Sequence, residues 1–367
     1  MRLFACAVAI LLAVLASPEA QEPPRFRLAI AGLVHGHVSG FLRSALKRTD
    51  IELVGVFDAD AALLRKYAGS HGLPESALHT DLTAMIERAK PDAIAAFTTT
   101  FDHPAVVEAA AARGVHVMME KPLAVSNEHA RRIRDAAAKA NIHVLVNYET
   151  TWYQSHAAMW TLFKERRAAG EIRKMVALDG HSGPKAINVQ PEFLAWLSDP
   201  VRNGAGALYD FGCYGANLMT WMMENERPLA VTAVTQRFQP AVYPQVDDEA
   251  TILVEYPRAQ GIIQASWNWP VNRKDFEVYG ERGSATATGG SSLRVALAKE
   301  PEHLAKLEPL PPDERDPVSH LMAVARGARK PNALSSLENN LIATEILEAA
   351  RESARTGRRV PLAAAGR

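Results

Sequence analysis

Cysteine is almost missing from this chain of 367 residues: there are two, Cys6 and Cys213. A disulfide-stapled scaffold is thereby excluded, and stability has to come from a hydrophobic core. An excess of either charge is missing too, with 41 Lys+Arg against 41 Asp+Glu. Neutralising phosphates takes clustered cations, so neither nucleic acid nor an acidic membrane surface is expected as a partner. His-x-x-His, His-Glu-x-x-His, paired-Cys and Gly-x-Ser-x-Gly patterns are all lacking. No metal centre and no serine-hydrolase elbow are therefore expected. Glycine and proline stand at 22 each and apolar residues at 48%, which argues against disorder, collagen and coiled coil. What remains is a globular protein of about two domains, an enzyme or a binder of small molecules.

Long apolar runs are confined to one, from Leu3 to Ala16 behind Met1-Arg2, followed by Ser17-Pro18-Glu19-Ala20. Its length and flanks have the form of a secretory signal over about residues 1–20, with cleavage after Ala16 or Ala20. An exported protein, periplasmic or extracellular, is expected; an uncleaved anchor is the alternative. Cleavage would remove Cys6 and leave Cys213 alone. No stretch of 18 apolar residues follows, so no later membrane span is expected.

From Arg27 to Val146, short β-branched runs alternate with Ala-rich amphipathic segments. Strands are expected at 27–31, 51–57, 93–97, 115–118 and 143–146, with helices at 81–90, 103–113 and 126–140. Strand and helix in alternation predict a parallel sheet in an α/β Rossmann-type doubly wound domain spanning 25–147. After Tyr148 the pattern changes. A helix at 155–169, a strand at 174–179, an irregular stretch at 180–206 and a helix at 212–223 precede strands at 230–238, 249–255, 261–267, 275–279 and 283–288. This predicts an α+β domain, 148–367, with a large, mainly antiparallel sheet and two C-terminal helices, 317–326 and 337–355, packing back.

At the end of the first strand stands Gly32-Leu33-Val34-His35-Gly36-His37, opening into a helix. Such a turn aims backbone N–H groups at one place and suits a pyrophosphate. Aligned to Gly-x-Gly-x-x-Gly, the second and third glycines are replaced by Val34 and His37. Asp58 ends the second strand, where a carboxylate accepts from the ribose hydroxyls of NAD and repels the extra phosphate of NADP. In an extended turn His35 and His37 would point to opposite sides, which suits phosphate contact or a turn role better than a metal.

Three further segments bear on chemistry. Glu120-Lys121-Pro122 puts Lys121 at the carboxyl end of a parallel strand, where ligands sit in open α/β sheets. Lys before Pro is held extended, with a cis bond as one option. Asp210 and Tyr214 lie four apart at the start of a helix, so they can share a face near that ammonium; an N-cap and a half-buried aromatic are the plainer roles. Trp152, Tyr153, His181, Trp196, Trp267 and Trp269 supply flat faces beside polar groups, a mixture suited to a carbohydrate or to core packing. Of these, Trp152 and His181 rank before Trp267 and Trp269 as substrate contacts.

Glu120-Lys121-Pro122 after the strand at 115–118, the Asp-x-Gly-Cys-Tyr-x-x-Asn segment from Asp210 to Asn217 and the two-domain order resemble the glucose-fructose oxidoreductase, inositol dehydrogenase and rhizopine-catabolism (Gfo/Idh/MocA) family. The resemblance runs from about Arg27 to the last helix. It implies that Lys121 touches both nicotinamide and the reacting hydroxyl, with Asp210 and Tyr214 as its catalytic partners. It also implies a cofactor site of Gly32, Val34, His35, Gly36, His37, Asp58, Thr98, His103, Glu120, Lys121 and Asn147. Substrate would meet Lys121, Trp152, His181, Asp210 and Tyr214. Tyr214, where many members have His, is similar to the aldose-oxidising branch, and the second-domain sheet is a common subunit interface there, so a homo-oligomer is implied.

The leading expectation is an oxidoreductase using NAD, NADP less so, on a sugar or glycoside hydroxyl. Outside the cytoplasm free NAD is scarce, so the cofactor would be retained and regenerated in place. Redox-neutral glycoside cleavage or elimination through a transient ketone is one alternative. A sugar-binding relative without catalysis is another.

Overall fold

The computed structural model describes residues 24–362; the expected signal over residues 1–20 lies outside them. The first layer runs β1 (Phe26–Ala31), α1 (Val38–Ala45), β2 (Ile51–Phe57), α2 (Ala61–His71), β3 (Leu78–His79), α3 (Leu82–Ala89), β4 (Ala93–Ala96), α4 (His103–Ala111), β5 (His116–Glu120), α5 (Asn127–Ala140) and β6 (Val144–Asn147). All six strands pair in parallel in the order β3-β2-β1-β4-β5-β6. This is the doubly wound sheet expected. The order reverses between β1 and β4, which opens a crevice at their carboxyl ends. Helix starts are set by side chains: Asp60, Asp81 and Ser126 each accept backbone N–H groups of the first turn.

The second layer holds α6 (Gln154–Trp160), β7 (Ile172–Gly180), α7 (Pro191–Leu197), α8 (Ala207–Asp210), α9 (Gly212–Met222), β8 (Ala230–Gln236), β9 (Glu249–Glu255), β10 (Gln260–Ser266), β11 (Arg273–Gly280), β12 (Gly283–Thr288), β13 (Leu293–Leu297) and β14 (His303–Leu304). After these come α10 (Pro317–Ala325), α11 (Leu337–Thr356) and β15 (Val360–Pro361). Nine strands form one sheet, β14-β13-β12-β11-β7-β10-β9-β8-β15, antiparallel except where β10 runs beside β7. Helix α9, buried along its whole length, packs against β7, β10 and α11.

Three elements depart from the sequence reading. The helix expected at 155–169 ends at Trp160, widens into a π turn over Thr161–Glu165, and the chain turns away at Arg167 with φ 51°. The stretch 180–206 is not wholly irregular, since it contains α7. The sheet also continues past Thr288 into β13. Helix α10 leaves its neighbours in sequence and joins the core of α1, α2 and β1 through Val318, Leu321, Met322 and Val324. Among the described residues no helix is long and apolar enough to cross a membrane.

Candidate functional site

The carboxyl end of β5 delivers Lys121 into the gap between the two layers, and the Lys121-Pro122 bond is cis. Facing it is Asp210, held by the loop before α8. Asp247 accepts from Gly206 N–H at 2.9 Å and from Leu208 N–H at 2.7 Å, and its carbonyl accepts from Ala207 N–H. Gly206 is required there, because a Cβ would stand 1.8 Å from the Asp247 carbonyl oxygen. Lys121 Nζ donates to Asp210 Oδ1 at 2.6 Å and to its carbonyl at 3.0 Å, and Trp267 Nε1 donates to Oδ2 at 2.9 Å. All three side chains are buried.

Burial opposes charge on both partners of this pair, yet each overcomes it through the other. Lys121 is held above the ordinary lysine range by Asp210, and Asp210 below the ordinary carboxylate range by Lys121. In this state Lys121 is an ammonium, a donor to an oxygen and not a base. Tyr214 is kept a neutral phenol by burial and by the Cys213, Glu149 and Asp210 groups near it. Asp210 and Tyr214 do face the same cavity, though on either side of a break at Phe211 and not along one helix. Lys121 Nζ stands 5.2 Å from the centre of the Tyr214 ring.

That cavity has a volume of about 550 Å³ and is lined by Lys121, Asp210, Tyr214, His181 and Phe211, with Pro184, Ile187, Val189 and Phe193 as an apolar wall. His181 Nδ1 accepts from Gly183 N–H at 2.9 Å, and burial keeps the ring neutral, so the proton sits on Nε2. Cys213 lies beneath, its Sγ donating to the Asp210 carbonyl at 3.3 Å. Burial pushes its thiol up to about 12, so it is inert as a thiolate.

Two residues sit elsewhere than the sequence suggested. Trp152 does not line this cavity; its Nε1 donates to Asn147 Oδ1 at 3.0 Å, and Asn147 Nδ2 to Glu120 Oε1 at 3.0 Å, beside a second cavity of about 540 Å³. Trp267, ranked lower, is the indole that holds Asp210. Sequence reasoning missed Lys274 on β11, which pairs with Glu149 and stands 4.8 Å from the Tyr214 ring centre, a second ammonium over that ring beside Lys121. Tyr153 O–H donates to Glu149 at 2.6 Å. The charged run Arg273-Lys274-Asp275 on an inner strand was the available signal.

At the β1–α1 turn Gly32 adopts φ 89°, and a Cβ there would lie 2.6 Å from Thr98 Cγ2, so only glycine fits. His35 and His37 do not diverge. Their rings stand 4.7 Å apart and both face Glu120, His37 Nδ1 at 3.1 Å and His35 Nε2 at 3.9 Å from Oε2, because the chain at His37 is already helical. Among the described residues these three alone group as metal ligands might. His35 Nδ1, however, accepts from His37 N–H at 3.2 Å, and burial keeps that ring neutral. Its Nε2 therefore carries the ring proton, and Glu120 Oε2, buried beside the two rings, has no hydrogen-bond partner among the described residues. Burial would raise Glu120, but His37 and the Lys121 ammonium outweigh it and hold Glu120 far below its usual range.

The turn fits a dinucleotide phosphate in one respect: Val34 N–H and Gly36 N–H donate to no protein group among the described residues. Asp58 accepts from Leu33 N–H at 2.8 Å and Asp60 N–H at 2.9 Å and is buried, as is Thr98. His103 lines neither cavity; its Nδ1 lies 3.1 Å from the Leu123 carbonyl, bracing the loop after Lys121.

Residues 26–148 match the family described as "Oxidoreductase family, NAD-binding Rossmann fold", and residues 160–286 match "GFO/IDH/MocA C-terminal domain". The trans-1,2-dihydrobenzene-1,2-diol dehydrogenase of Sus scrofa is 26% identical over 295 residues, 78% of this chain and 80% of that protein. The fold is shared with the aldose-aldose oxidoreductase of Caulobacter crescentus, solved with glycerol, at a TM-score of 0.78, 22% identity, 92% of this chain and 100% of that one. It is shared equally with an inositol dehydrogenase homolog of Azotobacter vinelandii, solved with NAD+, at a TM-score of 0.78, 23% identity, 92% of this chain and 98% of that one.

Proposed function

The chain belongs to the Gfo/Idh/MocA oxidoreductase family, with an NAD-binding Rossmann domain, and on that premise we propose that it oxidises or reduces a hydroxyl-bearing carbon of a sugar or glycoside. The observation that carries this reading is the buried Lys121 ammonium, locked on Asp210 at 2.6 Å and opening on a cavity of about 550 Å³. NAD, when bound, accepts or supplies the hydride. Val34, Gly36 and His37 at the turn, Asp58 at the end of β2 and Glu120 with Asn147 at the ends of β5 and β6 would hold it.

The chain's own groups handle the proton. In the oxidising direction the hydroxyl proton passes to Lys121 Nζ as Nζ gives one of its own protons to the Asp210 carboxylate 2.6 Å away, and in the reducing direction both transfers run backwards. A substrate hydroxyl placed on Lys121 Nζ meets a fixed positive charge that favours its alkoxide. Asp210 keeps Nζ in position and is itself kept ionised by Lys121 and Trp267. The neutral phenol of Tyr214 and Nε2–H of His181 are donors at the same cavity. Phe211, Pro184 and Ile187 offer apolar surface to a sugar's C–H face. The test is mass spectrometry of the ligand released on denaturation, followed by nicotinamide absorbance on mixing Lys121→Ala and wild type with neutral glycosides. No nicotinamide and no turnover in wild type would overturn the reading.

Export is part of the same proposal. It rests on the apolar run Leu3–Ala16, and it requires a cofactor that stays bound. A homo-oligomer through the nine-stranded sheet is supported by Val234, Phe238 and Val271, apolar side chains left exposed on or beside its strands.

A further inference from the structure

In a doubly wound sheet a dinucleotide lies across the crevice where the strand order reverses, here between the turn after β1 and the loop after β4. That crevice is covered. Residues 190–203, from the second layer, lie over both of its lips. Trp196 Nε1 donates to the Val34 carbonyl at 3.1 Å, and Gln190 Nε2 reaches the Gly36 carbonyl at 3.5 Å. The Phe193 ring packs against Gly36, where any Cβ would meet it at 2.8 Å, and lies 4.8 Å from the His35 ring. On the outer side Glu192 pairs with Lys66 of α2 at 2.7 Å. On the far lip Phe101 N–H donates to the Arg202 carbonyl at 3.0 Å.

The cover has a physical consequence at the residues meant for the cofactor. Asp58, Thr98 and Thr99 are 7%, 8% and 3% exposed, and neither cavity beside the turn reaches them. The two cavities meet at Gly36, His37, Glu149 and Gln190, so space exists on the Lys121 side of the turn and not on the Asp58 side. A dinucleotide needs both.

We propose that α7 and the residues flanking it, 190–203, are a clasp over the cofactor crevice: NAD enters or leaves only when the clasp lifts from the β1–α1 turn. Trp196, Gln190 and Phe193 are positioning residues, which hold the turn and not the substrate. The same segment supplies Phe193 and Gln190 to the wall of the substrate cavity, so lifting it also opens that wall. This rests on the reading of the first domain as an NAD site, and it gives that site a reason to exchange its cofactor slowly.

The test is exchange of bound NAD for isotope-labelled NAD on the full mature chain, followed by mass spectrometry. Trp196→Phe removes one hydrogen bond and keeps the ring; Glu192→Gln removes one surface ion pair. With a clasp, Trp196→Phe speeds the exchange about tenfold and Glu192→Gln about twofold. Amide hydrogen exchange over 190–203 then differs between NAD-loaded and NAD-free protein. Equal rates in wild type and both variants overturn the clasp while leaving the NAD site standing. Binding of label by the variants and not by wild type supports a clasp held shut. Failure of all three to bind overturns the NAD reading and the clasp together.

Discussion

Trp267 holds Asp210 from below: its indole N–H reaches Oδ2 at 2.9 Å, while Lys121 takes Oδ1 from the opposite side. A buried carboxylate is tolerable only when its oxygens are satisfied in this way. Trp267→Phe removes the donor and, at a fully buried position, shortens the ring as well. The expected cost is about 1–3 kcal/mol in urea unfolding. The acid limb of kcat/KM should move to higher pH, because Asp210 loses a group that favours its charge. An unchanged pH profile would show that the indole serves packing alone.

Lys121→Met leaves Asp210 buried without its cation. Turnover should fall by about 10²–10⁴-fold, the usual worth of a placed proton-handling group. Removing one partner of a buried pair should also cost about 3–5 kcal/mol. Rate and melting temperature should therefore fall together, and adding Asp210→Asn should recover part of the melting temperature and none of the rate.

The acidic groups titrate in two opposing directions. Asp210 and Glu120 are held below the ordinary carboxylate range, so the stability they give is present above that range and lost as pH falls toward their folded values. Lys121 is raised above 10.5, and its share is lost only at alkaline pH. Asp179 runs the other way. Buried on β7 with Oδ2 unpartnered, it is raised well above 3.8 by burial first and then by Asp275, which outweigh Lys274. It binds a proton more tightly folded than unfolded, so it subtracts stability as pH rises. Asp179→Asn should raise the unfolding midpoint, and by more at pH 8 than at pH 5; thermal scans at the two values decide.

Gly32→Ala must accommodate both a left-handed φ and a methyl 2.6 Å from Thr98. A loss of about 2 kcal/mol or more is expected in denaturant unfolding. NAD affinity should fall with it, since Val34 and Gly36 N–H groups follow directly on that turn.

Calorimetry with the two dinucleotides tests Asp58. A phosphate on the ribose would face its carboxylate, so NAD should bind at least about tenfold tighter than NADP, and Asp58→Asn should narrow the gap.

The alternating layer and the mainly antiparallel sheet were legible in the sequence because each rests on local pattern, the period of hydrophobicity; Lys121, Asp210 and Tyr214 were named through the family resemblance, since the spacing of four predicted one helix face where the chain instead breaks at Phe211. What was illegible depended on contacts far apart in the chain. Trp267 finds Asp210 across 57 positions, and Lys274 meets Glu149 across 125. The convergence of His35 and His37 turned on one backbone angle, which composition does not carry. Helix α7 had a readable signal, Pro191 followed by Phe193, Trp196 and Leu197 at helical spacing, but seven residues among Gly, Pro and Asn fall below the length at which periodicity decides.

Helix α10 gives the first layer its last piece of core from near the far end of the chain. Arg48 reaches Asp316 across 268 positions, and Val318 and Leu321 join the core that α1, α2 and β1 share. A ribosome that has released the first 150 residues has therefore not released a finished Rossmann unit, and that sheet stays open on one side until residue 325 emerges. Loop closure over such a span makes folding slow.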